Sequence, residues 1–563
     1  MLELLVPDLR VHRGDDRTIV EATTPLPAPA RCVGDWLVRW ATDRPETVFL
    51  AERGPDGAWG RTSYREALVA VESIAGGLCE RGLDATRPVM ILSDNSTPAA
   101  LVALAAMHAG IPVSNVSPAY SLQSQSFGRL REVAAQLDPG LVFVDDPARY
   151  AGALAAIGHV ATPLAELRGQ PDRRAFAAIT PATIAKVLFT SGSTGRPKGV
   201  VNTQRMLTAN QESLAACWPF LATTPPVIVD WLPWSHTFGA NHNFFLVLRN
   251  GGSLYIDRGR PAPGLVETTV ANLADVSPNL WFNVPRGFDQ AVAVLEADPV
   301  AAAAVFANLE LVFYAAAALG PSTRARLEQV AARAGRTVFF TSAWGSTETA
   351  PLATSAHFAT PTTGNLGVPV PGVQLALVPT ADRLELRVRG PNVTPGYWQP
   401  GGGIAPVELD AAGFLPTGDA GHFVDPARPE AGIVFAGRLG ENFKLSSGTW
   451  VSVAQVRIGV VEACAPLVLD AVIAGHDREA LGALIFPSPA GRAQPDDIRA
   501  AISTYNATHP ASSERIACVR IADTPLSLDD GETTDKGYTN QRRVLDRRAA
   551  DITALFDEAV HRL

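Results

Sequence analysis

The chain has 563 residues, more than a single hydrophobic core accommodates, so two or more domains are expected. A net charge of −9 gives no basic footprint and argues against a nucleic-acid partner. Five scattered cysteines (Cys32, Cys79, Cys217, Cys464, Cys518) with no C-x-x-C pair argue against a disulfide scaffold or zinc site and suit a reducing cytoplasm.

The start of the chain lacks a basic stretch followed by a long apolar run, so no secretory signal is expected. Residues 24–30, rich in Pro and Ala, read as a loop, and 62–81 has helical spacing. Val89-Met90-Ile91-Leu92 reads as a strand. The most apolar stretch, 99–113, is interrupted by His108, Gly110 and Pro112 and is shorter than the ~20 residues of a spanning helix. It reads as a buried helix leading into a strand, with no membrane insertion. Leu141-Val142-Phe143-Val144, 185–190 and Val227-Ile228-Val229 continue the strands, and 321–334 continues the helices. This alternation predicts α/β layers.

From about 375 the pattern changes to short strands separated by turn signals, among them Leu384-Glu385-Leu386-Arg387-Val388, Gly390-Pro391, Pro400-Gly401-Gly402-Gly403 and Gly432-Ile433-Val434-Phe435. A helix-like stretch, strands at 467–474 and 482–486, and a polar C-terminal tail follow. The expected organisation is a large N-terminal α/β domain, 1–437, with a β-rich subdomain at about 375–437. A break at 438–440 leads to a small α+β C-terminal domain, 441–563.

Only four of the 47 basic side chains are lysine: Lys186, Lys198, Lys444 and Lys536. Lysine is retained where a compact ammonium on a flexible stem matters. Lys186 lies in the apolar run Ala185-Lys186-Val187-Leu188-Phe189-Thr190, which feeds Ser191-Gly192-Ser193-Thr194-Gly195-Arg196-Pro197-Lys198-Gly199. Small residues let backbone N–H groups turn inward around phosphate oxygens, hydroxyls add donors, and Lys198 adds charge. The string does not match G-x-x-x-x-G-K-[ST]. An exposed Ser/Gly turn is the alternative for such a segment.

That string resembles the phosphate-binding signature of the adenylate-forming superfamily: acyl-CoA synthetases, peptide-synthetase adenylation domains and luciferases. Further motifs resembling that superfamily follow in order: Trp344-Gly345-Ser346-Thr347-Glu348, Thr417-Gly418-Asp419, and Gly437-Arg438 at the hinge. The resemblance implies ATP, Mg²⁺ and CoA as cofactor and co-substrates, and a mobile C-terminal domain turning at 438–440. It implies that Thr190 to Gly195 and Lys198 hold phosphates, that Thr347 contacts the α-phosphate and that Glu348 holds the metal. Trp344 and Ala316, within Tyr314-Ala315-Ala316-Ala317-Ala318-Leu319-Gly320, would flank adenine, and Asp419 would accept from the ribose hydroxyls. Lys536 would swing onto the carboxylate and α-phosphate. Lys444 and Gly448, in Phe443-Lys444-Leu445-Ser446-Ser447-Gly448, would line the thiol tunnel. Tyr314 and Ala318 depart from the superfamily pattern, as does Gly440 at the hinge. Lys186 has no implied role, and Lys186→Arg is expected to be nearly silent.

Trp234 to Asn243 occupies the place of the superfamily's acyl-pocket helix, and His236 would pack against the carboxyl end of the acid. His236 and His242 are six apart with no nearby carboxylate, a poor metal site, and His242 reads as structural. Phe238, Asn241, Asn283, Tyr314 and Gly345 would line a flat apolar slot with a few polar points. Strings such as Phe282-Asn283-Val284-Pro285-Arg286-Gly287, Gly390-Pro391-Asn392-Val393-Thr394-Pro395-Gly396-Tyr397-Trp398 and Asp535-Lys536-Gly537-Tyr538-Thr539 resemble bacterial feruloyl-CoA synthetases. The expected function is ligation of an aromatic carboxylic acid, ferulate or a related hydroxycinnamate, to CoA. The alternatives are a medium- or long-chain fatty acyl-CoA ligase, a stand-alone aryl adenylation enzyme loading a carrier protein, and a nucleotide-binding regulatory homologue. A homodimer is left open.

Overall fold

The computed structural model of the chain describes residues 2–190, 196–262, 264–360, 363–380, 383–534, 539–557 and 562–563. A seven-stranded sheet runs in the order Gly403–Pro406, Gly396–Gln399, Lys198–Thr203, Ile184–Thr190, Val113–Asn115, Val89–Ile91, Leu141–Phe143. Its last four strands are parallel, as buried crossover strands are, and the rest pair antiparallel. Helix Thr97–His108 buries every residue from Ala99 to His108, as a helix apolar on all faces must. Its end feeds Val113–Asn115, so the apolar stretch is a core helix and a strand, as its length implied. Among the described residues no helix is long and apolar enough to cross a membrane.

A second sheet joins Val227–Asp230, Ser253–Ile256, Val48–Arg53 and Trp59–Ser63. A third joins Leu280–Asn283, Leu311–Tyr314 and Phe339–Gly345 in parallel, then Leu352–Ser355 and Val368–Pro369 antiparallel. Along this third sheet Phe282 registers with Phe313 and Phe313 with Thr341, while Asn283, Tyr314 and Ser342 form the adjacent row. Successive residues of a strand face opposite ways, so the two rows point to opposite faces. Phe282 and Phe313 belong to the main core, whereas Tyr314 packs with Trp281, Phe288 and Val312.

The β-rich region differs from its expected extent in two ways. Its six-stranded antiparallel sheet draws in Leu9–Arg13 and Thr18–Ala22 from the start of the chain, beside Gln374–Thr380, Arg383–Arg389, Leu415–Phe423 and Ile433–Arg438. The edge of Gln374–Thr380 needs a partner for its backbone groups, and Thr18–Ala22 supplies it. Meanwhile Gly396–Gln399 and Gly403–Pro406 leave for the seven-stranded sheet, with Tyr397 opposite Val200.

Beyond Arg438 lie a hairpin (Phe443–Lys444 with Trp450–Val451), helix Val453–Ala463, and a three-stranded sheet of Val468–Ala474, Leu481–Pro487 and Ile516–Ile521. This part has its own core of Val456, Val460, Ile473, Ile485, Ile498, Ile502 and Val519. The expected polar tail is instead helical over Gln541–Arg547 and Ala549–Asp557, because Val544 and Leu555 cover the sheet's second face. Asp529 ties this part to the first, accepting from Ser124 Oγ and from the Gln125 and Ser126 N–H groups.

Candidate active site

The strands of the third sheet end where the site begins. Leu311–Tyr314 runs into Ala315 and Ala316, and Phe339–Gly345 runs into Thr347 and Glu348. Ligands of α/β sheets collect at the carboxyl ends of strands for this reason. Gly345 is required by close approach: a Cβ there would overlap the carbonyl oxygen of Pro351. Ala316 is exposed and holds φ at 74°, a left-handed conformation costly for a residue bearing a Cβ.

Three expected residues meet at Asp419. Trp344 Nε1 donates to Oδ2 at 2.9 Å, and Nε of Arg438 lies 3.2 Å from Oδ1. Arg438 reaches it because Asp419 and Arg438 are directly opposed in adjacent strands. Burial pushes the Asp419 carboxyl upward, while the Arg438 charge and the Trp344 N–H pull it down. A carboxylate has roughly four lone-pair sites. One position on Oδ2 is taken by the Trp344 N–H, while Oδ1, beside the Arg438 charge, accepts no hydrogen bond among the described residues. The indole N–H in this role was not legible from the motif, where Trp344 reads only as a flat face.

A second group forms around Tyr397. Its hydroxyl donates to Glu348, and Nζ of Lys198 lies 5.1 Å from its ring centroid. Burial, reinforced by the Glu348 charge, pushes the phenol up to about 12, so it remains a donor at neutral pH. Glu348 is fixed through its backbone as well, its carbonyl accepting from Thr394 N at 2.8 Å. Asn392 Nδ2 holds the same turn by donating to the Thr349 and Leu352 carbonyls at 3.0 and 2.8 Å. Thr347 is buried in this turn. Tyr397 lies in a string that carried only the resemblance. Its approach to Lys198 and Glu348 follows from strand pairing that no spacing reveals. Among the described residues no three His, Cys, Asp or Glu side chains gather to hold a metal. Glu348, expected to hold the metal, is a single carboxylate beside Tyr397, a donor set that fits a Mg²⁺ sharing the oxygens of a bound phosphate.

Thr190 pairs with Lys198 across the hairpin, so Lys198 stands at the base of the segment expected to hold phosphate. Ser191, Gly192, Ser193, Thr194 and Gly195, and also Lys536, lie outside the described residues. Lys444 Nζ sits 4.8 Å from the Trp450 ring centroid, and Arg383 of the six-stranded sheet packs on the same ring at 4.8 Å. Gly448 has φ 83° with open space around it. Lys186 is 3% exposed, 5.1 Å from the Phe245 ring centroid, and burial lowers its ammonium to about 7. It is a core side chain, and the expectation that Lys186→Arg is nearly silent is corrected, because a larger, permanently charged fork has no room there.

The acid-side residues divide between two surroundings. His236 is buried in the turn before the π-helical Phe238–Asn243, which continues into helix Phe244–Asn250. π-turns mark functional segments more often than regular helix does. Phe238 is partly exposed, 5.5 Å from Phe313 and 5.7 Å from His242 between ring centroids. Asn241 turns away to donate to Asn202 Oδ1 at 2.6 Å and Thr237 Oγ1 at 3.0 Å. Asn283 accepts from Trp231 Nε1 at 3.2 Å and Val284 N at 2.9 Å. Tyr314 hydrogen-bonds Ser342 on the far sheet face, and burial raises its phenol. The expected slot of Phe238, Asn241, Asn283 and Tyr314 is therefore not one surface. Phe282 and Phe313 occupy the Phe238 side, and period-2 alternation counted from Tyr314 would have placed them there.

The chain matches the AMP-binding enzyme family over residues 37–398 and the AMP-binding enzyme C-terminal domain over residues 445–560. It is similar to the long-chain-fatty-acid–CoA ligase FadD15 of Mycobacterium bovis, 25% identical over 603 aligned positions, covering 92% of this chain and 95% of that protein. It is also similar to the long-chain-fatty-acid–CoA ligase of Escherichia coli, 30% identical over 256 positions, 43% of this chain and 42% of the other. The adenylation domain of the carboxylate reductase from Mycobacterium chelonae superposes with a TM-score of 0.73 at 20% identity, covering 95% of this chain and 92% of that one. The large α/β part followed by a small C-terminal part is thus the fold of adenylation domains.

Proposed function

We propose, from the premise that this chain belongs to the AMP-binding enzyme family and is an AMP-forming acid–CoA ligase, that its acid is a hydroxycinnamate such as ferulate. The acid carboxylate attacks the α-phosphorus of ATP and the bond to the pyrophosphate oxygen breaks, leaving acyl-adenylate. The CoA thiolate then adds to the carbonyl, the thioester forms and AMP departs. Catalysis is charge neutralisation and alignment of converging anions. Lys198 and the 190–195 loop hold the departing pyrophosphate, Thr347 contacts the α-phosphate, Asp419 and Arg438 fix the ribose, and Trp344 and Ala316 flank the adenine. Glu348 would hold the nucleotide's Mg²⁺, which neutralises phosphate oxygens when bound. Lys536 serves the adenylation step, and Lys444 and Gly448 the thiol step. Residues 438–440 are the hinge about which 441–563 turns between the two.

The observation that carries the aromatic acid is the closure behind Phe238. Trp218, Phe282 and Phe313, each no more than 1% exposed, pack against one another on the Phe238 side of the sheet, which supports a short slot over a deep alkyl tunnel. A short apolar slot suits a flat ring. A long-chain fatty acid is the second reading, favoured by what the two ligases above are named for. AMP release measured across ferulate, 4-hydroxycinnamate, benzoates and fatty acids, with and without CoA, separates them. Turnover with ferulate and CoA supports the first, and turnover confined to fatty acids supports the second.

A further inference from the structure

The C-terminal part meets the rest of the chain through a turn that its own residues hold in shape. Gly531 N donates to Leu528 O at 3.0 Å, closing a turn with Asp529 and Asp530 at its corners. Glycine is required at its end: φ is 73°, and a Cβ would lie 2.9 Å from Arg129 Nη2 of the large domain. Glu532, 2% exposed, pins the turn from behind. Its carboxylate accepts from Arg548 Nε and Nη2 at 2.8 and 2.7 Å and from Ser527 N at 3.0 Å. The Glu532 carbonyl accepts from Asn540 N at 2.8 Å, and Thr533 bridges to Thr539. Lys536 lies between Thr533 and Thr539 in the chain. The two ends of the segment that carries Lys536 and the turn that carries Asp529 therefore form one hydrogen-bonded unit.

Asp529, exposed at the corner of this turn, reaches three consecutive residues of the large domain. Its carboxylate accepts from Ser124 Oγ, from Gln125 N at 3.0 Å and from Ser126 N at 3.4 Å. Among the described residues those two N–H groups have no other acceptor. Two successive N–H groups and a hydroxyl aimed at one point make an anion receptor, and a charged acceptor strengthens each bond. Burial acts against the charge, but these bonds hold the Asp529 carboxyl below its usual range. The receptor is braced on its own side, where Ser124 Oγ accepts from Phe127 N and the Ser126 carbonyl from Arg131 Nη1, both at 2.8 Å.

The receptor follows Val113–Asn115 in the chain, by way of helix Pro118–Leu122. Val113 pairs in parallel with Lys186, so the chain past Asn115 and the expected phosphate segment past Thr190 leave the same edge of the sheet. Tyr120 and Arg129 of this region line a cleft opposite Leu528, Gly531, Thr533 and Asn540. The same docking leaves Lys444, expected to serve the thiol step, on the Trp450 ring that Arg383 also covers.

We propose that Asp529 is a positioning residue for adenylation, its bonds to 124–126 holding the C-terminal part with the ends of the Lys536 segment at the phosphate edge. The inference rests on the acid–CoA ligase reading above and on Lys536 serving adenylation, and it is independent of which acid is used. Turning about 438–440 for the thiol step breaks these bonds, so their strength sets how the chain divides between the two half-reactions.

The test measures acid-dependent ATP–pyrophosphate exchange and CoA attack on supplied acyl-adenylate, using whichever of ferulate and a sixteen-carbon fatty acid the wild type activates. Asp529→Ala should lower exchange about tenfold through kcat, with KM for ATP unchanged, because the adenylating arrangement becomes the minor one. CoA attack should be unchanged or faster. Asp529→Asn, which keeps an acceptor without the charge, should fall between. Ser124→Ala should act in the same direction and, added to Asp529→Ala, should lower exchange no further. In Lys536→Ala the change Asp529→Ala should likewise cost nothing more. Equal loss of both half-reactions in Asp529→Ala would show a merely structural residue and overturn the proposal. Unchanged exchange in Asp529→Ala, or a further tenfold loss when it is added to Lys536→Ala, would overturn it too. No exchange by the wild type with either acid would remove the ligase reading and this proposal together.

Discussion

At Asp419 the Trp344 N–H donates to Oδ2 and the Arg438 charge lies 3.2 Å from Oδ1, which accepts no hydrogen bond among the described residues. At His242 the polar atoms are sealed among aromatic rings, Nδ1 lies 2.9 Å from Asn243 Oδ1, and Nε2 has no partner among the described residues. The nucleotide side is therefore organised around charges with counter-charges close at hand. The group around His242 is organised around desolvation, with its polar atoms enclosed by aromatic rings.

The largest expected effect falls on the charged side. Lys536→Ala should lower acid-dependent ATP–pyrophosphate exchange by about 10²–10³-fold. Attack of CoA on supplied acyl-adenylate should be largely retained, and equal loss of both half-reactions would remove the assignment. Next is Trp344→Phe, which keeps a ring beside the nucleotide but deletes the donor to Asp419. A charge-assisted bond of about 1.5–3 kcal/mol predicts a ten- to hundredfold rise in KM for ATP with KM for the acid unchanged. Equal rises for both substrates would blur the division between the two sides.

A stability effect follows. Lys186→Arg overfills a buried position and should destabilise the fold by about 1–3 kcal/mol, read as a lower denaturation midpoint. Lys198→Arg, on a partly exposed lysine, should leave the midpoint unchanged and act on exchange instead. The smallest effect is in pH. His242 in the unfolded chain takes up a proton below about 6.5, whereas in the folded chain it does so only near 4. The unfolded state then binds more protons, so this contribution to stability is complete above 6.5 and is lost as pH falls through about 4. His242→Phe should flatten that part of the stability profile, and an unchanged profile would show that the ring is protonated in the fold.

The family was legible because its motifs are contiguous strings, such as a Thr next to a Glu or a Thr-Gly-Asp, that can be read without knowing the fold. The layers were legible because apolar periodicity is local. The group around His242 was not, since His242, Asn243, Asp230 and Trp218 come from three separated segments joined by packing. Tyr314 and Asn283 were placed in the slot from the family resemblance, although period-2 alternation turns them to the other face. Lys186 shows the same limit. Rarity of lysine marked four positions alike, but burial separates Lys186 from the lysine that stands at the phosphate loop.

The most direct measurement is the ratio of kcat/KM for ferulate to that for a sixteen-carbon fatty acid in CoA-dependent AMP release. A ratio well above one, with AMP and thioester formed together, is the predicted result. A ratio well below one would contradict the account.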